Sequence, residues 1–131
     1  MKGIIVIGSN FGDRVLNIHE ALSFIKTKCL IVNSSNIYET PDILGVGCPY
    51  MNIVIEIETD WEENILNECF KSFEMKAGRN DLRRRRGEVP IDIDIVIWGG
   101  VIRRKKDFQA KYFLLGYNQF QFTDKVQAPV S

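Results

Sequence analysis

The segment Pro90-Ile91-Asp92-Ile93-Asp94-Ile95-Val96-Ile97-Trp98 admits few conformations. Its isoleucines recur at every second position, so Ile91, Ile93, Ile95 and Ile97 share one face of a β-strand and both aspartates share the other. Two residues of strand rise separate the carboxylates by about 6.5–7 Å along the backbone. Aspartate is disfavoured within strands and like charges on one face repel, so the pair calls for a compensating role. Carboxylates at this spacing can converge on one divalent cation or flank two. The plainer alternative is decoration of the wet face of a half-buried sheet.

The rest of the chain supplies partners for that strand. Residues 50–58 alternate likewise, with Met51, Ile53, Ile55 and Ile57 on one face and Tyr50, Asn52, Val54 and Glu56 on the other. Residues 3–7 form a short apolar strand, and Gly8-Ser9-Asn10 after it is expected to cap a helix. That helix spans 13–26, with Val15, Ile18, Ala21, Leu22 and Ile25 at helical spacing. Residues 30–38 read as a more polar strand and 39–49 as a Gly- and Pro-containing loop. Thr59-Asp60 is expected to cap a second helix over 61–76, turning Ile65, Leu66, Cys69, Phe70 and Phe73 inward. Gly78 ends it, residues 80–88 form a basic loop, and Pro90 opens the aspartate strand. Periodicity decays after Gly100; residues 103–131 carry aromatics, Phe122 among them, and little order is expected there.

The order β-α-β-β-α-β predicts an α+β, ferredoxin-like fold, a four-stranded antiparallel sheet with two helices on one face. The opposite, open face then gathers Tyr50, Asn52, Glu56, Asp92 and Asp94, bordered by the basic loop and by Thr40-Pro41.

With 131 residues the chain is expected to be one domain, 1–131, with a core over 3–99 and a tail over 100–131. Lysine plus arginine equal aspartate plus glutamate at 17 each, so no global field draws the chain to nucleic acid or to an anionic membrane. The single histidine, His19, removes Ser–His triads and His-rich metal sites by count. Cys29, Cys48 and Cys69 lack paired or metal-type spacing and read as reduced thiols, which predicts a cytoplasmic protein. The apolar run at the start is too short for a signal peptide or a membrane span. Nothing in the sequence sets an oligomeric state.

An aspartate pair beside Arg79 and the run Arg83 to Arg86 suits a polyphosphate with bound magnesium. No G-x-x-x-x-G-K-S/T or G-x-G-x-x-G motif is present to cradle that phosphate. Tyr50 and Asn52 suit stacking on and hydrogen bonding to a flat heterocycle; surface positions on an open sheet would look the same.

Five separated segments reach a known family in order and spacing: Ile7-Gly8-Ser9-Asn10 with Gly12-Asp13-Arg14, Tyr38-Glu39-Thr40-Pro41, Pro49-Tyr50-Met51-Asn52, Glu74 with Gly78-Arg79, and Ile91-Asp92-Ile93-Asp94-Ile95. The chain resembles the 6-hydroxymethyl-7,8-dihydropterin pyrophosphokinase family of folate biosynthesis. The resemblance implies transfer of pyrophosphate from ATP to the hydroxymethyl oxygen of the pterin, with release of AMP. It implies two Mg2+ ions held by Asp92 and Asp94, and catalytic roles for Arg79, Arg85 and both aspartates. Thr40, Pro41, Tyr50 and Asn52 match the pterin-binding positions. Glu74, Arg79, Arg85, Ile95, Lys111 and Tyr112 match the nucleotide side.

The chain also departs from that pattern. Where the family writes Arg-Trp-Gly-Pro-Arg, it has Arg85-Arg86-Gly87-Glu88-Val89, and Asp81 replaces an arginine. A Pro-His segment is represented by Lys111-Tyr112, and a later Arg-x-Phe only by Tyr117 and Phe120. Each lost charge contact weakens transition-state stabilisation, so a homologue that binds pterin or nucleotide without turnover is the second hypothesis. A third, an RNA-binding domain using the basic clusters, is disfavoured by carboxylates on the open face and by the missing aromatic RNA-binding strand.

Overall fold

The computed structural model describes residues 1–120. β1 (Lys2–Ser9) is the centre of an antiparallel sheet, flanked by β4 (Tyr50–Glu58) and β5 (Asp92–Trp98). β2 (Leu30–Ser34) and β3 (Tyr38–Thr40) both pair with β4, and β6 (Val101–Ile102) adds two residues beyond β5. Among the described residues the sheet therefore has six strands rather than the expected four. The extra strands arise at both margins. The polar stretch around Ser35 and Asn36 breaks one expected strand into β2 and β3, and Gly99-Gly100, both at positive φ, turn the chain back as β6.

α1 (Arg14–Lys26) and α2 (Glu63–Lys76) cover one face of the sheet. Beneath them lie most of the isoleucines the alternation predicts, Ile5, Ile7, Ile53, Ile55, Ile57, Ile91, Ile93 and Ile95, packed against Ile18, Ala21, Ile25, Leu66 and Phe70. Ile97, expected on the same face, joins the apolar cluster on the other side instead, because the register of β5 against β1 shifts between Ile4 and Ile5. Phe24 and Phe73 stack between the two helices with ring centroids 4.6 Å apart. Val15 and Ile65, expected inward, are exposed, while Glu74 is buried on α2 at the position next to Phe73. α2 starts at Glu63 rather than Trp61, with Thr59 Oγ1 accepting from the Trp61 N–H ahead of it.

The opposite face is not open. After β6 the chain forms α4 (Lys105–Gln109) and α5 (Lys111–Tyr117), following the short α3 (Asp81–Arg85) inside the basic loop. Phe113 of α5 packs on Ile4, Val6, Val54 and Val96, a second apolar cluster on the far side of the sheet. Gly116 permits the approach: a Cβ there would lie 2.5 Å from Val54 Cγ2 and 2.7 Å from the Tyr38 hydroxyl oxygen. The expectation of little order after Gly100 thus fails for residues 101–120, and its remainder, Phe122 included, lies outside the described residues.

The turn after β1 also differs from expectation. Asp13, not Gly8-Ser9-Asn10, caps α1, its Oδ1 accepting from the Leu16 N–H at 3.1 Å. Asn10 instead donates to the Gly87 carbonyl at 2.7 Å and accepts from the Val89 N–H at 2.6 Å, tying the basic loop to the end of β1.

Candidate active site

β6 pairs only with Ile97 and Trp98, so the outer edge of β5 beside the aspartates has no strand partner. Unpaired backbone groups at a buried edge need other partners. α2 supplies them: Glu74 Oε2 accepts from the Ile93 N–H at 2.8 Å, and Lys71 Nζ donates to the Ile93 carbonyl at 2.8 Å. The same side chains reach round the edge to the aspartates. Lys71 Nζ lies 2.8 Å from Glu74 Oε2 and 3.0 Å from Asp94 Oδ1. Arg79, just past the end of α2, bridges Glu74 Oε1 at 2.8 Å and Asp92 Oδ1 at 2.7 Å. Arg104 comes within 3.9 Å of Asp94 and pairs with Asp107, which also accepts from the Tyr112 hydroxyl.

Burial, and then the neighbouring charge of Asp92, pushes the Asp94 carboxyl up to about 6, against the pull of Lys71 and Arg104. Burial works against the Lys71 ammonium, yet Asp94 and Glu74 outweigh it and hold it above the ordinary lysine value. For Arg79 burial is likewise outweighed, chiefly by Asp92. The two carboxylates are thus coupled to each other, and each is held by a cation from the α2 side.

Each aspartate of this pair lines a separate cavity. One, of about 180 Å³, lies between β1, β4 and the loop after β3; Gly8, Thr40, Pro41, Tyr50, Asn52, Asp92 and Tyr112 line it. Gly8 stands between Asp92 and Asn52 in register across the sheet. A Cβ at Gly8 would lie 3.3 Å from both Asn52 Oδ1 and Tyr50 Cδ2, so the bare backbone keeps this floor open. Asn52 is buried, and its amide nitrogen donates to Thr40 Oγ1 at 2.8 Å, which fixes the amide and leaves Oδ1 toward Gly8 as an acceptor. The other cavity, also about 180 Å³, opens between α2, β5 and the start of α4, lined by Asn64, Asn67, Lys71, Asp94, Ile95, Arg103 and Arg104. Asp92 belongs to the first cavity and Asp94 to the second.

A scan against family models matches residues 4–121 to the 7,8-dihydro-6-hydroxymethylpterin-pyrophosphokinase family. The chain belongs to that family. Among curated relatives, it is 29% identical over 119 residues to the 2-amino-4-hydroxy-6-hydroxymethyldihydropteridine pyrophosphokinase of Haemophilus influenzae, covering 88% of this chain and 74% of that protein. It is 28% identical over 117 residues to the folic acid synthesis protein FOL1 of Dictyostelium discoideum, covering 88% of this chain and 18% of that one. It is 33% identical over 98 residues to the mitochondrial folate synthesis bifunctional protein of Pisum sativum, covering 73% of this chain and 19% of that one. The chain thus spans about a fifth of the length of the latter two proteins.

Set against the residues named for this family, the structure brings Thr40, Pro41, Tyr50, Asn52 and Asp92 into one cavity, and joins Glu74 and Arg79 to the aspartates. Ile95 lines the second cavity and Tyr112 the first. Lys111 and Arg85 are exposed and line neither. Glu56, grouped with the aspartates by face, sits lower on the sheet, buried and hydrogen-bonded by Asn33 at 2.9 Å. Lys71, Arg104 and Gly8 are site residues the sequence reading missed. Lys71 carried one usable signal, its i,i+3 spacing to Glu74, and Arg104 only its membership of a basic cluster. The departure at Val89 has a neighbour of interest: Arg83 places its guanidinium 4.5 Å from the Phe11 ring centroid and 3.7 Å from Glu88 Oε1, with its Nε buried and unpartnered.

Proposed function

We propose that this protein transfers the terminal pyrophosphoryl group of ATP to the hydroxymethyl oxygen of 6-hydroxymethyl-7,8-dihydropterin, with release of AMP. The observation that carries this reading is that two aspartates two positions apart on one strand line two different cavities, Asp92 one and Asp94 the other. The Haemophilus relative's name carries the same substrate and reaction class. In this reading the pterin lies in the first cavity. Tyr50 offers a ring face, and Asn52 Oδ1, held by the bond to Thr40, accepts from a ring N–H or amino group. The nucleotide takes the second cavity, where Lys71, Arg103 and Arg104 face its phosphates and Ile95 gives apolar contact.

The pterin hydroxyl oxygen attacks the β-phosphorus, the bond between that phosphorus and the α-bridging oxygen breaks, and AMP leaves with the electron pair. Two carboxylates line the acceptor cavity, Asp92 and Asp42. Asp42 already accepts from the Leu44 and Gly47 N–H groups, which leaves Asp92 as the base for the hydroxyl proton. Asp92 and Asp94 form an all-oxygen donor pair suited to Mg2+, two ions by family resemblance, whose chemistry is neutralisation of the triphosphate charge. Among the described residues no group of three or more His, Cys, Asp or Glu is gathered to hold a metal, so the remaining ligands would come from phosphate and water. Arg79 keeps Asp92 oriented, and Arg85 is an exposed loop cation available to a phosphate.

The strand sequence β2-β4-β1-β5 beneath α1 and α2 supports a ferredoxin-like core, elaborated at its margins, within a single domain over 1–131. Three free thiols support a cytoplasmic location, and among the described residues no helix is long and apolar enough to cross a membrane. The RNA-binding reading loses the open sheet face it requires, because α5 covers it. Incubation with ATP, Mg2+ and the pterin should yield AMP and pyrophosphorylated pterin in equal amounts. Formation of ADP instead, or pterin binding with no product, would count against the reading.

A further inference from the structure

Lys71 belongs to none of the segments that carry the family resemblance, yet it is the most fully coordinated cation of the site. An ammonium has three N–H bonds. Those of Lys71 meet Glu74 Oε2 at 2.8 Å, the Ile93 carbonyl at 2.8 Å and Asp94 Oδ1 at 3.0 Å. Both carboxylates are buried, Glu74 at 3% and Asp94 at 8% of full exposure. The stem runs from α2 round the unpaired edge of β5, so helix and sheet fix the charge in place. Arg79 lies on Asp92 at 2.7 Å, and Arg104 is 3.9 Å from Asp94. The carboxylates that would attract a divalent cation are therefore already compensated by the protein's own cations.

We propose that Lys71 is a resident counter-ion that occupies Asp94 until a polyphosphate arrives, so that the protein takes up a divalent cation together with the nucleotide and not before it. This rests on the reading of Asp92 and Asp94 as the cation ligands. A divalent ion approaching Asp94 alone meets an ammonium 3.0 Å from the oxygen it needs. A triphosphate in the second cavity, which Lys71 also lines, brings the negative charge that offsets this repulsion and gives the ammonium another acceptor.

The test uses Mn2+ as the probe, with free ion followed by electron paramagnetic resonance, on the full chain as wild type, Lys71→Met and Lys71→Gln. Each is measured with and without a non-hydrolysable ATP analogue. The wild type should bind Mn2+ weakly alone and strongly with the analogue. Both variants should bind Mn2+ alone at least about tenfold more tightly than the wild type, and the enhancement by the analogue should shrink. A purely structural Lys71 would leave Mn2+ binding unchanged or weaker in both, and that result overturns the proposal. Lys71→Gln retains a donor for the Ile93 carbonyl and serves if Lys71→Met fails to fold. Mn2+ binding that Asp94→Asn leaves untouched would sink the cation site and this proposal together. Absence of pterin-dependent AMP with the Mn2+ results as expected would sink only the reaction.

Discussion

Arg79 holds Asp92 at 2.7 Å while its other contact, Glu74 at 2.8 Å, is the same carboxylate that caps the Ile93 N–H. The end of α2 and the edge of β5 are thereby joined through one guanidinium, and the orientation of the acceptor-side aspartate depends on where that helix stops. Gly78, at φ +104, ends α2 and lets the chain turn so that Arg79 faces the strand.

Replacing Arg79 should therefore act on stability and on the site together. Arg79→Ala leaves Glu74 buried with one fewer cation, a loss of roughly 1–2 kcal/mol after allowance for the partial exposure of the arginine. Urea denaturation measures it. Arg79→Lys should recover part of the stability but little of the activity, because both contacts come from Nη1 at the tip of the arginine, which extends farther than a lysine Nζ.

Gly8→Ala tests the floor of the first cavity. The new methyl would sit 3.3 Å from Asn52 Oδ1 and Tyr50 Cδ2, tight enough to narrow the slot without breaking β1. Pterin affinity should fall about tenfold or more, a loss of roughly 1.4 kcal/mol, while affinity for the ATP analogue stays within twofold. Calorimetric titration with each ligand separates the two, and equal loss of both would show that the cavity is misassigned.

Asp94 predicts a pH dependence of stability in cation-free protein. Its folded pKa, about 6, lies above the ordinary 3.8, so the native state holds this proton more tightly than the unfolded chain. The stabilisation is fully present below about pH 4 and is lost as pH rises through about 6, by up to roughly 3 kcal/mol. Asp94→Asn should remove that slope. Denaturation curves of both proteins between these limits give the difference directly, and parallel curves would contradict the assignment.

α5 is predicted to be essential to the acceptor cavity because it carries Tyr112. Gly116→Val places methyls where Val54 Cγ2 and the Tyr38 hydroxyl already stand, and should cost about 1–3 kcal/mol by overpacking. It should also weaken pterin binding, since the Tyr38 hydroxyl donates to the Tyr112 carbonyl. Unchanged pterin affinity would separate α5 from the site.

The sheet core was legible because isoleucine at every second position leaves one solution for Ile53, Ile55, Ile93 and Ile95, and that solution put Asp92 and Asp94 on the far face. Three things escaped for physical reasons. α4 and α5 are five and seven residues long, shorter than an isolated helix can sustain, and exist through packing of Phe113 and Tyr117, whose rings stack at 5.1 Å, on the sheet. The burial of Glu74, named in the sequence only through the resemblance, escaped because the Ile93 N–H that holds it comes from a strand nineteen residues away. Lys71 was indistinguishable by periodicity from a solvated lysine. The pterin-side grouping of Thr40, Tyr50 and Asn52 came from family resemblance, and spacing alone left it undecided.

The most direct measurement is AMP release from ATP and Mg2+, with and without 6-hydroxymethyl-7,8-dihydropterin, by the wild type and by Asp94→Ala. The wild type should release AMP that depends on the pterin, and the variant should release at least about a hundredfold less, a barrier increase of roughly 2.7 kcal/mol. Folded wild-type protein that binds the pterin and yet releases no AMP would contradict the proposed reaction.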